Sequence, residues 1–82
     1  MNVHVKIFPI AGLCDKTQKF VITLKNGTMS ELLAYLHEQL GITLNKTETL
    51  IFLHNGCALD RHKEPVFIEG DQLWLLPLIS GG

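Results

Sequence analysis

The stretch Thr28-Met29-Ser30-Glu31, running on through leucines at 32, 33, 36 and 40 to Gly41, constrains the fold more than any other part of the chain. Thr28 offers a hydroxyl to the backbone donor three residues on, and Glu31 can reach back, the pattern of a capping box. Met29, Leu32, Leu33, Leu36 and Leu40 are spaced three, one, three and four residues apart, which gathers them on one helical face. Gly41 supplies the left-handed stop. A helix of about three turns is marginal alone in water and needs an apolar surface to cover. This is the cleanest helix signal in the chain, and an amphipathic helix of this kind must lie on a sheet.

The strands are legible from alternation. Val3, Val5 and Ile7 define one face of a first strand running from Val3 to Ile10, with Pro9 near its exit. Ala11 to Lys19 reads as a loop. Phe20, Ile22 and Leu24 then alternate against Val21, Thr23 and Lys25 until the Asn26-Gly27 turn. After the helix, Thr49 to Leu53 is β-prone and closes on Asn55-Gly56, a hairpin signal, with Cys57 to Leu59 as a short return. Asp60 to Pro65 is polar and irregular, Glu69-Gly70-Asp71 is a turn, and Leu73 to Leu78 is the last strand.

Two strands, one helix and two or three further strands in 82 residues predict an α+β fold: a mixed sheet of four to five strands with the helix across one face. The first and last strands should be central and parallel, because the crossover lies between them. We expect one domain over residues 1–78, followed by a flexible Gly-Gly tail over 79–82.

Composition removes several function classes. The net charge is −1 with lysines and arginines scattered singly, so there is no basic footprint for nucleic acid. No apolar run approaches the ~18–20 residues that span a bilayer, and the N-terminus alternates where a signal peptide would be continuously apolar. The cytoplasm is therefore the expected location. Cys14 and Cys57 are too far apart for a Cys-x-x-Cys pair and read as free thiols; a disulfide between them has no positive support. A ferredoxin is excluded, since its cluster needs four cysteines.

Conventional catalysis has no signature here. No nucleophile elbow, phosphate-cradling glycine loop or zinc-protease helix is present. His4, His37, His54 and His62 do not fall at metal-ligand spacing, and ordinary surface and turn roles explain His54, Cys57 and His62 better than a metal does. Carboxylates are dispersed: Glu31 caps the helix, while Glu69 and Asp71 flank a turn.

The end of the chain is different. Ile79-Ser80-Gly81-Gly82 follows the last strand directly, with no polar tail between. Two terminal glycines arise by chance in roughly 0.5% of chains, so the dipeptide alone is a weak signal. Its chemical sense is access: without Cβ atoms the tail is thin enough to thread a narrow channel and present the Gly82 carboxylate to a partner. A carboxylate is a poor electrophile, so a partner must activate it, for instance as an acyl-adenylate. The bland alternative is a frayed terminus.

Glu69-Gly70-Asp71-Gln72-Leu73-Trp74-Leu75-Leu76-Pro77-Leu78-Ile79-Ser80-Gly81-Gly82 resembles the C-terminus of the MoaD/ThiS family of ubiquitin-like sulfur carriers. The resemblance is nearer to the molybdopterin-synthase small subunit than to the thiamine sulfur carrier, with Pro77 resembling the proline before the tail in the molybdopterin branch. Gly27-Thr28 before Leu32-Leu33, and Leu50-Ile51-Phe52 with Asn55-Gly56, are similar to the helix entry and the strand and turn of ubiquitin-like folds. The resemblance implies a β-grasp fold and a carrier, not an enzyme, with no bound cofactor or metal. It implies an ATP-dependent, ubiquitin-activating-type enzyme that adenylates Gly82 and a sulfur transfer that leaves a thiocarboxylate there. A larger synthase subunit would accept the tail of Ile79, Ser80, Gly81 and Gly82. The expected product is a molybdopterin-type cofactor. Thiamine, or conjugation to target lysines through Gly82, is the alternative. A plain interaction module with an incidental tail is a third reading.

Alternation also predicts where a partner docks. If Leu73 and Leu75 pack under the helix, Trp74 and Leu76 point away from it; Leu50 and Phe52 inward leave Ile51 outward. Trp74, Leu76, Leu78, Ile51 and Pro77 would then form an apolar patch beside the tail. Covering a fully exposed Trp would contribute ~4–6 kcal/mol against the ~4–8 kcal/mol cost of ordering four tail residues. The competing expectation is that the Cys57 to Phe67 segment covers Trp74.

Overall fold

The computed structural model describes residues 1–10, 15–41, 50–60 and 63–77. The elements are β1 (Asn2–Ile7), β2 (Gln18–Thr23), α1 (Met29–Leu40), β3 (Leu50–His54), β4 (Cys57–Ala58) and β5 (Gln72–Pro77). They form one five-stranded sheet in the order β2-β1-β5-β3-β4. β1 and β5 are central and parallel, with Val5 beside Leu73 and Ile7 beside Leu75, while the other pairings are antiparallel. The expected mixed sheet is therefore present with its full five strands.

α1 starts where its cap predicts. Thr28 is extended (φ −90°, ψ 156°), and its hydroxyl accepts from the Glu31 N–H at 3.2 Å. Glu31 reaches further back than a capping box requires. Its carboxylate accepts from the backbone N–H groups of Lys25 at 2.5 Å, Asn26 at 2.9 Å and Gly27 at 3.1 Å. One side chain thus satisfies the whole turn that leads into the helix. Gly41 ends the helix at φ 68°, its N–H donating to the carbonyls of His37 and Leu36.

The helix buries Met29, Leu32 and Leu36, and packs Leu33 and Leu40 at the edge of the core. Facing them are Val3, Val5, Ile7, Ile22, Phe52, Leu73 and Leu75, the inward positions of the strands, and Leu24 just past β2. Each such side chain contributes ~1.5–3 kcal/mol on burial. β1 stops at Ile7, short of Ile10, though the Phe8 N–H still donates to the Leu75 carbonyl at 3.0 Å. Pro9 lacks an N–H and cannot extend that ladder.

Phe67 completes the core from outside any regular element. It is fully buried, between exposed Val66 and Ile68. Its N–H donates to the Gly27 carbonyl at 2.8 Å, and Val66 bridges Thr28, so this segment is fastened to the helix entry. Gly27 (φ 69°) is required at that approach, because a Cβ would run into the Phe67 carbonyl oxygen and the Met1 sulfur. Phe67 goes under the helix instead of over Trp74.

Candidate functional site

β5 separates its two faces as alternation predicts. Leu73 and Leu75 are fully buried, whereas Trp74 is 38% exposed on the side away from α1. Antiparallel register places Ile51, 36% exposed, opposite Leu76. Leu76 and Pro77 are half-buried. Trp74, Ile51 and Leu76 are thus brought together along β3 and β5, whereas Pro77, two residues on from Leu75 and opposite Leu50, belongs by alternation to the helix side of the sheet and not to this face. Leu78, Ile79, Ser80, Gly81 and Gly82 lie outside the described residues, as do Cys14 and His62.

Two neighbours of Trp74 complete this face. Phe8 meets it edge-on, with ring centroids 5.4 Å apart and planes at 64°. Lys6, level with Trp74 in the parallel register, holds its ammonium 4.8 Å from the Phe8 centroid and 5.1 Å from that of Trp74. Both were legible in principle, since Phe8 and Lys6 continue the outward series from His4. The end of β1 and its exit, taken only for their core face, gave no reason to look there.

The turn before β5 holds a second constellation that sequence reasoning passed over. Asp71 is 5% exposed. Its carboxylate accepts from His54 Nε2 at 2.7 Å, Asn55 Nδ2 at 3.0 Å and the Ile68 N–H at 2.9 Å. Burial alone would raise its pKa, but the hydrogen bonds from Asn55, Ile68 and His54 outweigh burial and hold it below the usual carboxylate value. His54 stacks at a tilt on Phe67, with ring centroids 4.8 Å apart. Asn55 Oδ1 also accepts from the Gln72 N–H at 2.8 Å, so the β3–β4 turn is bonded to the first residue of β5. Asp71 anchors the start of the last strand; its signal in the sequence was a Gly-Asp turn facing an Asn-Gly turn. Cys57 is exposed and free. Among the described residues no group of His, Cys, Asp and Glu could hold a metal ion, and no helix is long and apolar enough to cross a membrane.

An extended β5 leading into a glycine-ended segment, flanked by an aromatic face, is the setting in which known proteins bear on this chain. No family model matches it. A molybdopterin synthase sulfur carrier subunit from Drosophila yakuba is 34% identical over 84 residues, covering all of this chain and 92% of the relative. The subunit from Drosophila melanogaster is 32% identical with the same coverage. The chain belongs to the molybdopterin synthase sulfur carrier subunit family. Among solved structures, a chain from the complex of subunits 1 and 2 of the molybdopterin-converting factor from Helicobacter pylori 26695 superimposes with a TM-score of 0.71 at 26% identity, all of both chains being covered. SAMP1 from Haloferax volcanii superimposes with a TM-score of 0.67 at 21% identity over all of both chains, a likeness of fold alone. The molybdopterin synthase sulfur carrier fold is the β-grasp expected from the last fourteen residues of the sequence. Its members are carrier subunits, so this chain is a sulfur carrier and not a catalyst in its own right.

Proposed function

We propose that this carrier holds sulfur as a thiocarboxylate on Gly82 and delivers it to a larger synthase subunit for a molybdopterin-type cofactor. Membership of the molybdopterin synthase sulfur carrier family over the full chain supports this reading most directly. An ATP-dependent adenylating enzyme joins the Gly82 carboxylate to the α-phosphate of ATP and releases pyrophosphate. A donor at the level of hydrosulfide then displaces AMP, leaving the thiocarboxylate. Ser80 and the unbranched Gly81 let the tail lie in a narrow channel, and the chain over 1–78 serves as the handle for 79–82.

The face of the sheet that carries Trp74, Ile51 and Leu76, with Pro77 and Leu78 next along the chain, is the surface that docks the partner. Trp74 retains only 38% of its exposure, so covering the remainder contributes ~2 kcal/mol rather than the full value for a free indole. Ordering the tail costs more than that, so Ile51 and the residues around Pro77 must be covered together with Trp74.

Intact mass of the untagged protein from its native host tests the reading. A species with one oxygen replaced by sulfur, mapped to Gly82, is expected, and one residue added after Gly82 should abolish it. An unaltered mass after incubation with the host's adenylating enzyme, ATP and a sulfur donor would overturn the thiocarboxylate. Heavier conjugates through lysine would point to a protein modifier.

A further inference from the structure

Among the described residues, the solvent face of the sheet opposes two lysines across neighbouring strands and carries no carboxylate on those strands. In the antiparallel register of β1 and β2, Lys6 stands directly opposite Lys19. Like charges opposed across strands weaken a sheet, whereas opposite charges strengthen it. None of the outward positions of β1, β2, β3 and β5 carries Asp or Glu. The His54–Asp71 contact belongs to the turn before β5.

Lys6 is held instead by the faces of Phe8 and Trp74. Such contacts fix an ammonium in place without neutralising it. A chain of net charge −1 therefore presents a cationic strip, Lys6 and Lys19, against an apolar one. A shallow groove lined by His4, Lys6, Lys19, Val21, Gln72 and Trp74 joins the two. Two lysines are too few to hold a nucleic-acid backbone or an anionic bilayer. They suit one or two carboxylates placed beside an apolar contact.

We propose that Lys6 and Lys19 form the cationic half of a charge-matched docking surface. The larger synthase subunit presents carboxylates to this strip while its apolar side chains cover Trp74 and Ile51. The inference rests on the reading that the Trp74 face docks that subunit, and it adds the chemistry that must face it. In the free chain the Lys6–Lys19 opposition is a cost; partner carboxylates facing this strip are attracted to both lysines. The same pair thus weakens the free domain and strengthens the complex.

Calorimetric titration of the full chain into the host's larger synthase subunit, at low and high salt, tests this with wild type, Trp74→Ala, Lys19→Arg and Lys19→Glu. Lys19→Glu should weaken binding ~10-fold or more and flatten its salt dependence. Lys19→Arg should bind as wild type. The free Lys19→Glu chain should melt ~1–5 °C higher, because the introduced carboxylate faces Lys6. If Trp74→Ala binds weakly while Lys19→Glu binds as wild type, the charge inference fails and the docking reading stands. If neither substitution changes binding, the docking reading itself fails. A lowered melting midpoint for Lys19→Glu would also overturn the inference, since the two ammonium groups would then not be in conflict.

Discussion

His54 Nε2 lies 2.7 Å from Oδ2 of Asp71, tying the end of β3 to the start of β5 from within the domain. Asn55 and the Ile68 N–H converge on the same carboxylate, so three donors depend on one nearly buried acceptor. Asp71→Ala should cost ~2–4 kcal/mol by urea unfolding, because donors left without an acceptor keep their desolvation penalty. A loss below ~1 kcal/mol would mean that water replaces the carboxylate.

Acid should weaken the fold through the same group. Hydrogen bonds hold the Asp71 carboxyl below its usual value despite burial, and those from Lys25 first and Asn26 next do the same for Glu31. The unfolded chain therefore binds more protons on acidification. The stabilisation is complete above the unfolded carboxyl values of ~4 and is lost as pH falls through the lower folded values. Urea midpoints should be level with respect to these two groups above about pH 5 and fall below about pH 4. Asp71→Asn should flatten part of that fall.

Glu31 holds the turn before the helix as well as the helix start. Thr28→Ala should cost ~1 kcal/mol as a lost N-cap. Glu31→Ala should lower the thermal midpoint further, since the N–H groups of Lys25, Asn26 and Gly27 lose their shared acceptor. A larger effect from Thr28→Ala would show that the cap, and not the turn, dominates.

Phe67 and its neighbours should separate cleanly. Phe67→Ala should cost ~3–5 kcal/mol, the range for deleting a buried aromatic ring. Val66→Ser and Ile68→Ser, both at positions 63% exposed, should stay within ~0.5 kcal/mol. Equal effects at all three positions would mean that the whole segment folds or melts as one.

Trp74→Ala should leave the fold standing. The lost edge-on contact with Phe8 costs ~0.5–1.5 kcal/mol. A collapse of the urea transition would show that Trp74 serves the core more than the surface.

Local pattern determined the elements of this chain. Thr28, the leucine spacing and Gly41 specify α1 within a residue at each end, because capping and helical periodicity act over four residues or fewer. Alternation specified the inward Val3, Val5, Leu73 and Leu75, and with them the outward Trp74 and Ile51, because a strand has only two faces. The glycine-ended tail drew attention through its chemistry and needed no coordinates. Tertiary structure decided what depends on residues distant in sequence. Asp71 looked like a turn residue until β3 and β5 paired and brought His54 and Asn55 to it. Phe67 belonged to no element read from the sequence until the Gly27 carbonyl fixed it beside the helix entry. Lys6 and Lys19 were scattered charges until the β1–β2 register set them opposite one another, with Lys6 beside Trp74. Registers and buried polar contacts join segments far apart in the chain, and only the closed sheet makes them neighbours.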